Sequence, residues 1–328
     1  VSDGSKRIPD VCQAINNGIV PDLEVTGTDV MFVKLDEAEP IGEKIIASVI
    51  QSIPAKFGID AADIQVIAPQ RGQPDQKSHF VGVRFFNKRL QDELNPLMDV
   101  QIHAGDGAMI RENDRVIQRK NNKQQNVVNG DQGVVIQVSK RAFFPDDHVI
   151  TSQRTDRIQK MGESKYASGE VADIVAVVDF QDGRVVGYTK TELRYLQLAY
   201  AITIHSAQGS AYKAVIIPLH GSNAYMLTRQ LLYTAVSRAE KYVFLVGQKE
   251  AIRRAVKNER GIERKSTLKE RIAAEIDRGA SNADGLAALD EGLSDDDVEQ
   301  VKEVIASRPA IVTSSIGYGP KWKSVNSS

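Results

Sequence analysis

Two stretches of this chain carry residue types at spacings that could handle phosphate: residues 199–210, AYAITIHSAQGS, and residues 231–247, LLYTAVSRAEKYVFLVG. In the first, Thr203 and His205 alternate with apolar Ile202 and Ile204, so both polar side chains can share one face of an extended segment. Gln208, Gly209 and Ser210 then offer an unhindered backbone and a hydroxyl suited to phosphate contact. In the second, Arg238 near the end of a helical turn can place a guanidinium on a nucleotide's terminal phosphate. Taken singly, each has an ordinary reading: Arg238 as a solvated helix charge, His205 as a hydrogen-bonded structural histidine. The order Thr-x-His-x-x-Gln-Gly-Ser, apolar strand, Thr-Ala-x-Ser-Arg, second strand favours the chemical reading over the ordinary one.

A third candidate is Arg71, in the run Gln65-Val66-Ile67-Ala68-Pro69-Gln70-Arg71-Gly72. There an apolar strand opens into a loop at its carboxyl end, the usual ligand position of an open α/β sheet. A basic stretch with Arg111, Arg115, Arg119, Lys120 and Lys123, set against Glu112 and Asp114, can pair with nucleic-acid phosphates or simply be a solvated strand. Of these, Arg115, Arg119 and Lys120 are the expected DNA contacts. Tyr195, Tyr200 and Tyr212 could stack bases, or could be core and edge residues.

Composition limits the alternatives. With 42 Lys and Arg against 43 Asp and Glu the net charge is −1, so any nucleic-acid binding must come from local patches. Cys12 is the only cysteine, which rules out an intrachain disulfide and a cysteine-based zinc site and fits a cytoplasmic setting. The histidines, at 79, 103, 148, 205 and 220, lack ligand spacing, so no metal centre is expected. No apolar run approaches the roughly 18 residues of a membrane span. The start, VSDGSKRIPD, has neither an initiator Met nor a secretory pattern, so the chain is expected to begin in mid-protein.

The elements that must position these residues can be read from periodicity. Residues 29–35 and 64–68 predict buried strands, residues 41–53 a helix after Pro40, and residues 81–94 an amphipathic helix that stops before Pro96. Such alternation predicts a parallel sheet covered by helices. From Gly105 to about Arg194 the texture changes to short β-like runs, DRVIQRK, GVVIQVS and DIVAVVDF, with turn signals at 129–131, 145–147 and 182–183. A small antiparallel barrel or sheet is expected there. The parallel pattern resumes at 214–219 and 242–246. Beyond about Arg271 the chain is polar, with helices expected at 268–278 and 295–307.

On these motifs the chain resembles superfamily 1 DNA helicases of the RecD and TraA type, over roughly residues 3–272. Residues 82–91, GVRFFNKRLQ, are similar to the family's helix after the strand-end loop. Residues 105–133, 178–180 and 196–200 are similar to its small inserted β domain. The resemblance implies an α/β fold: a RecA-like second motor domain formed discontinuously by 1–104 and 196–272, an inserted SH3-like β-barrel at 105–195, and a partly flexible extension at 273–328. It implies that Arg71 and Arg238 are arginine fingers for the γ-phosphate. Gln208 and Gly209 would couple nucleotide to DNA, with Thr203, His205 and Ser210 near the strand. The chain departs from many relatives in having Ser206 where they have Lys or Arg, and Ala211 where they have Glu.

No Gly-x-x-x-x-Gly-Lys-Ser/Thr loop occurs in the sequence. ATP and Mg²⁺ would therefore be held mainly by a motor domain upstream, and the chain alone is expected to be inactive. The expected whole is an ATP-dependent 5′ to 3′ helicase acting on single-stranded DNA in repair or recombination. Two alternatives remain open: a non-catalytic DNA-binding module that lost the motor, and the helicase part of a conjugative relaxase.

Overall fold

The computed structural model describes residues 7–24, 28–73, 79–97, 100–123, 125–143, 174–223 and 225–259. The turn at 145–147, the helices expected at 268–278 and 295–307, and the extension 273–328 lie outside the described residues. Val1–Ile262 form one structural unit.

The chain begins with α1 (Ile8–Asn16), whose Pro9 sits in the first turn where its missing N–H costs nothing. β1 (Val30–Lys34) follows, then α2 (Ala38–Ala47), a π-helical turn at Ser48–Ser52 and α3 (Ile53–Phe57), which stops at Gly58 in the left-handed conformation. β2 (Ile64–Ala68), buried throughout, leads through the Arg71 loop to α4 (Val83–Leu94). The small β region comprises β3 (Gln101–His103), β4 (Met109–Arg111), β5 (Arg115–Gln118), β6 (Gln132–Phe143), β7 (Ile174–Phe180), β8 (Val185–Thr189) and β9 (Leu196–Leu198). The chain returns with β10 (Ala201–Thr203), β11 (Tyr212–Leu219), α5 (Arg229–Val236), β12 (Ala239–Gly247) and α6 (Lys249–Lys257).

The five-stranded main sheet has the order β1-β12-β11-β2-β10, and every neighbouring pair is parallel. Helices cover both faces because its central strands are apolar on both sides. One core joins Val11 and Ile15 of α1, Leu232 and Ala235 of α5 and Ile252 of α6 to Ile217 and Leu245. The other joins Ile41 and Ile45 of α2, Phe86 and Leu90 of α4, and Ile216, and runs on into Val116, Val135 and Val178 of the small β region. That region is an antiparallel sheet in the order β8-β7-β6-β5-β9, beside the β3–β4 hairpin. The expected division at 195/196 needs correcting: Leu196–Leu198 pairs with β5, so the small sheet's last strand falls past that boundary, and the main sheet resumes only at Ala201.

Two buried polar junctions seat the small sheet. Arg115 donates to the Ile64 carbonyl (3.0 Å) and to Gln65 Oε1 (2.6 Å), and Gln65 Nε2 donates to the carbonyls of Ala199 and Tyr200. Asp114, with no solvent exposure, accepts from Gln91 of α4, from Asn95 just past that helix, from the Arg111 amide and from the Tyr200 hydroxyl.

Candidate functional site

All five main-sheet strands run the same way, so the sheet has a carboxyl edge and an amino edge. β10 pairs with β2 with Thr203 beside Ala68, which puts Thr203 and the Arg71 loop at the carboxyl edge. β11 starts at Tyr212 beside Ala239, so Ser210 and Arg238, just before these strands, lie at the amino edge. At about 3.3 Å per residue the two edges are roughly 20 Å apart. Residues 204–211 cross that distance over the α1/α5 face, where Ile204 and Ala207 are buried.

At the carboxyl edge the Arg71 loop is fixed by α4. Val83 and Arg84 donate their amides to the carbonyls of Gln70 and Arg71, which caps the helix and holds the loop. Gly82 permits this approach: a Cβ there would lie 2.7 Å from the Arg71 carbonyl oxygen and 2.6 Å from Gly72 Cα. A cleft of about 490 Å³ opens between this loop, α4 and the small sheet, lined among others by Arg71, Arg84, Asp106, Arg119, Thr203 and Ser206. Arg84 holds Asp106 through both carboxylate oxygens (2.6 and 3.1 Å), which keeps that carboxyl below its usual range. Arg119 donates to Ser206 Oγ (2.7 Å), which is shared with Thr203 Oγ1 (2.8 Å). Burial, and then the like charge of Arg71, hold the Arg119 guanidinium below its ordinary value. Among the described residues neither Arg71 nor Arg119 forms an ion pair. Asp106 is paired with Arg84 and its charge reaches Arg71 and Arg119 as well, but these three guanidinium groups against this one carboxylate leave the cleft net positive and anion-seeking.

Ser206 stands where the resemblance leads one to expect Lys or Arg, and the guanidinium it receives comes from Arg119 of the small sheet. The cleft is thus built by both parts of the fold. His205 is exposed beside it, on the short 3-10 turn Ile204–Ala207.

At the amino edge, Gly209 has φ +83° with open space around its Cα, and Gln208 beside it is exposed. Arg238 is drawn back onto its own helix and onto the crossover: Nε donates to the Thr234 carbonyl (3.1 Å), Nη2 to Ser237 Oγ (3.1 Å) and Nη1 to the Ser210 carbonyl (3.3 Å). These bonds tie Arg238 to the Gln208-Gly209-Ser210 turn.

Three expectations are therefore corrected. Arg71 and Arg238 occupy opposite edges and cannot meet on one phosphate; Arg71 belongs with Arg119, Thr203 and His205. Ser210 belongs with Arg238 rather than with Thr203. Arg115 is taken up by Ile64 and Gln65 and faces the domain junction, not a ligand. Lys120 remains exposed on the small sheet, with Nζ 5.0 Å from the centroid of the Tyr195 ring. Sequence reasoning missed Arg84 and Asp106 in the cleft, and it gave no role to Asp114. Among the described residues there is no group of three His, Cys, Asp or Glu able to hold a metal ion, and no helix is long and apolar enough to cross a membrane.

Residues 198–246 match the UvrD-like helicase C-terminal domain, and residues 86–151 match the ATP-dependent RecD-like DNA helicase SH3 domain. Over 212 residues the chain is 32% identical to the ATP-dependent RecD2 DNA helicase of Deinococcus radiodurans, covering 64% of this chain and 24% of that protein. Over 112 residues it is 34% identical to the RecBCD enzyme subunit RecD of Mycolicibacterium smegmatis, covering 33% and 20%. The chain thus spans about a quarter or less of these curated relatives. A Pif1 helicase structure from Candida albicans aligns over 82% of this chain and 58% of that one, at 13% identity and a TM-score of 0.42.

Proposed function

We propose that the chain, of which residues 198–246 match the UvrD-like helicase C-terminal domain and residues 86–151 the RecD-like helicase SH3 domain, supplies the second motor domain of an ATP-dependent DNA helicase moving 5′ to 3′. The carboxyl-edge cleft grips single-stranded DNA, with Arg71 and Arg119 on phosphates and Thr203, His205 and Ser206 beside them. The amino edge faces the nucleotide held by a preceding motor domain.

The observation that carries this reading is the crossover 204–211, which joins the two edges by one short stretch of chain. Near its start Ser206 joins Thr203 and Arg119, and near its end the Ser210 carbonyl holds Arg238. A shift of Gln208 and Gly209 on binding a phosphate would be transmitted to the strand-gripping end within a few residues, the link an inchworm motor requires.

The amino edge fits part of an ATP site. Backbone at Gly209 and the guanidinium of Arg238 suit the oxygens of a terminal phosphate. With no phosphate loop in the sequence, Mg²⁺ and most of the nucleotide would fall to a preceding motor domain. ATP bound between the domains supplies the energy of the cycle. Arg238 would neutralise charge at the γ-phosphate, a role worth about 10³ to 10⁵ in rate.

The test uses the complete protein. Arg238→Ala is expected to lose ATPase activity by that factor while keeping its affinity for single-stranded DNA. Arg119→Ala is expected to weaken strand binding and make the logarithmic salt slope shallower by about 0.7, one phosphate contact. ATPase that survives Arg238→Ala would overturn the reading.

A further inference from the structure

Among the described residues four tyrosines lie in or beside the small sheet, and the fold treats one differently. Tyr188, Tyr200 and Tyr212 are buried, their hydroxyls bound to Gln118, Asp114 and Gln132. Tyr195 is partly exposed, at the end of the 3-10 turn Glu192–Tyr195 anchored by buried Leu193. Its ring is flanked by two cations: Arg194 Cζ lies 4.8 Å from the centroid and Lys120 Nζ 5.0 Å. Arg194 Nη2 also donates to the Tyr195 hydroxyl (2.7 Å). Among the described residues neither cation is in an ion pair with a carboxylate. An accessible ring with two unspent positive charges suits a ligand that is both aromatic and anionic.

Its place in the fold makes the ligand more specific. The Arg119 amide donates to the Tyr195 carbonyl (2.8 Å), so this cluster adjoins the residue whose guanidinium enters the cleft. Lys120 is the next residue along. We propose that Tyr195, Lys120 and Arg194 form a nucleotide subsite on the small β domain: one base of the DNA strand stacks on the phenol ring, and its flanking phosphates take the two cations. This rests on the reading that the strand occupies the Arg71–Arg119 cleft, and it carries the track from the main sheet onto the small one. On binding, the base displaces one cation from the ring face, and that cation turns to phosphate.

The experiment is an anisotropy titration of the purified chain with a labelled oligothymidylate and with an abasic oligonucleotide of equal length. Base–aromatic stacking predicts that Tyr195→Ala loses about 5- to 150-fold in affinity for oligothymidylate. Tyr195→Phe, which keeps the ring and loses the hydroxyl, should bind as the parent does. On the abasic strand the parent and Tyr195→Ala should be equal. A free mononucleotide should compete only weakly, since it lacks the contacts in the cleft; strong competition would make this a free-nucleotide site and overturn the proposal. Tyr195→Ala binding oligothymidylate as tightly as the parent, while Arg119→Ala weakens it, would reject the subsite and leave the cleft standing. Failure of the parent itself to bind either strand would overturn both.

Discussion

Replacing Asp114 by alanine removes the acceptor of four hydrogen bonds in a site without solvent: Gln91 Nε2 at 2.6 Å, Asn95 Nδ2 at 2.7 Å, the Arg111 amide at 2.7 Å and the Tyr200 hydroxyl at 2.8 Å. Three of these donors are buried and Asn95 is partly exposed; at about 1 to 3 kcal/mol for each orphaned buried donor, even the lower bound sums to about 3 kcal/mol. Asparagine is a finer probe. Its amide cannot sit on the side of the Arg111 backbone N–H, which has no means of turning round. Placed on the other side, it meets the Tyr200 hydroxyl, which can accept, and Asn95 Nδ2, which cannot. Asp114→Asn should therefore lose about one bond, roughly 1 to 3 kcal/mol. Urea denaturation followed by circular dichroism measures both, read as a shift in midpoint at unchanged slope. The pH dependence adds a second reading. Burial pushes the Asp114 carboxyl above its ordinary value, and the four donors pull it part of the way back. For an acid raised in the fold, the stabilising contribution is complete below the ordinary value and is lost as pH rises through the folded one. The advantage of the parent over Asp114→Asn should thus widen as pH falls across that window. Equal losses for alanine and asparagine, or an alanine loss under about 1 kcal/mol, would refute the hydrogen-bond account.

Two further outcomes follow from buried groups. Arg115→Met leaves the Ile64 carbonyl and Gln65 Oε1 without their donor, so stability should fall by about 1 to 3 kcal/mol for each, while the folded fraction keeps the parent's strand affinity. A loss of affinity at unchanged stability would instead return Arg115 to the strand-binding set. Cys12 is buried in α1, and burial, against the opposing charge of Arg238, pushes its thiol up to about 11. A colourimetric thiol reagent at pH 8 should leave the native chain almost unlabelled and react fully in guanidinium; rapid native labelling would mean that α1 opens readily.

Periodicity was a good guide wherever a residue's neighbours in sequence decide its fate. The strand at 64–68, the helix ending at Leu94 and the β texture after Gly105 all follow from alternation, apolar spacing and turn residues. The edges of the sheet were not legible. Arg71 and Arg238 each sit next to an apolar strand, and only the parallel pairing shows that one follows its strand and the other precedes it. Arg115 opens β5 and Arg119 directly follows it, at positions that alternation would put on one face, yet this stretch runs from the level of Ile64 to that of Ser206, so one guanidinium is buried and the other reaches the cleft. Likewise, nothing local separates Tyr195 from Tyr200 and Tyr212; their burial is set by strands distant in sequence.

The pairing of β10 with β2 also governs the order in which the chain can fold. These adjacent strands are separated by the whole of residues 69–200, and bringing together the ends of so long a loop is entropically costly before any contact repays it. The small sheet shortens the path. Once β5 has paired with β9, Ala199 already donates to the Arg115 carbonyl, and Arg115 carries the groups that bind Ile64 and Gln65. The inserted domain is thus expected to serve as an internal template for its host: if it closes first it presents β10 at the right height, and the main sheet gains its last strand as a late, nearly local event. Mutations that weaken the small sheet should on this account slow folding of the main one, through residues that never touch its centre.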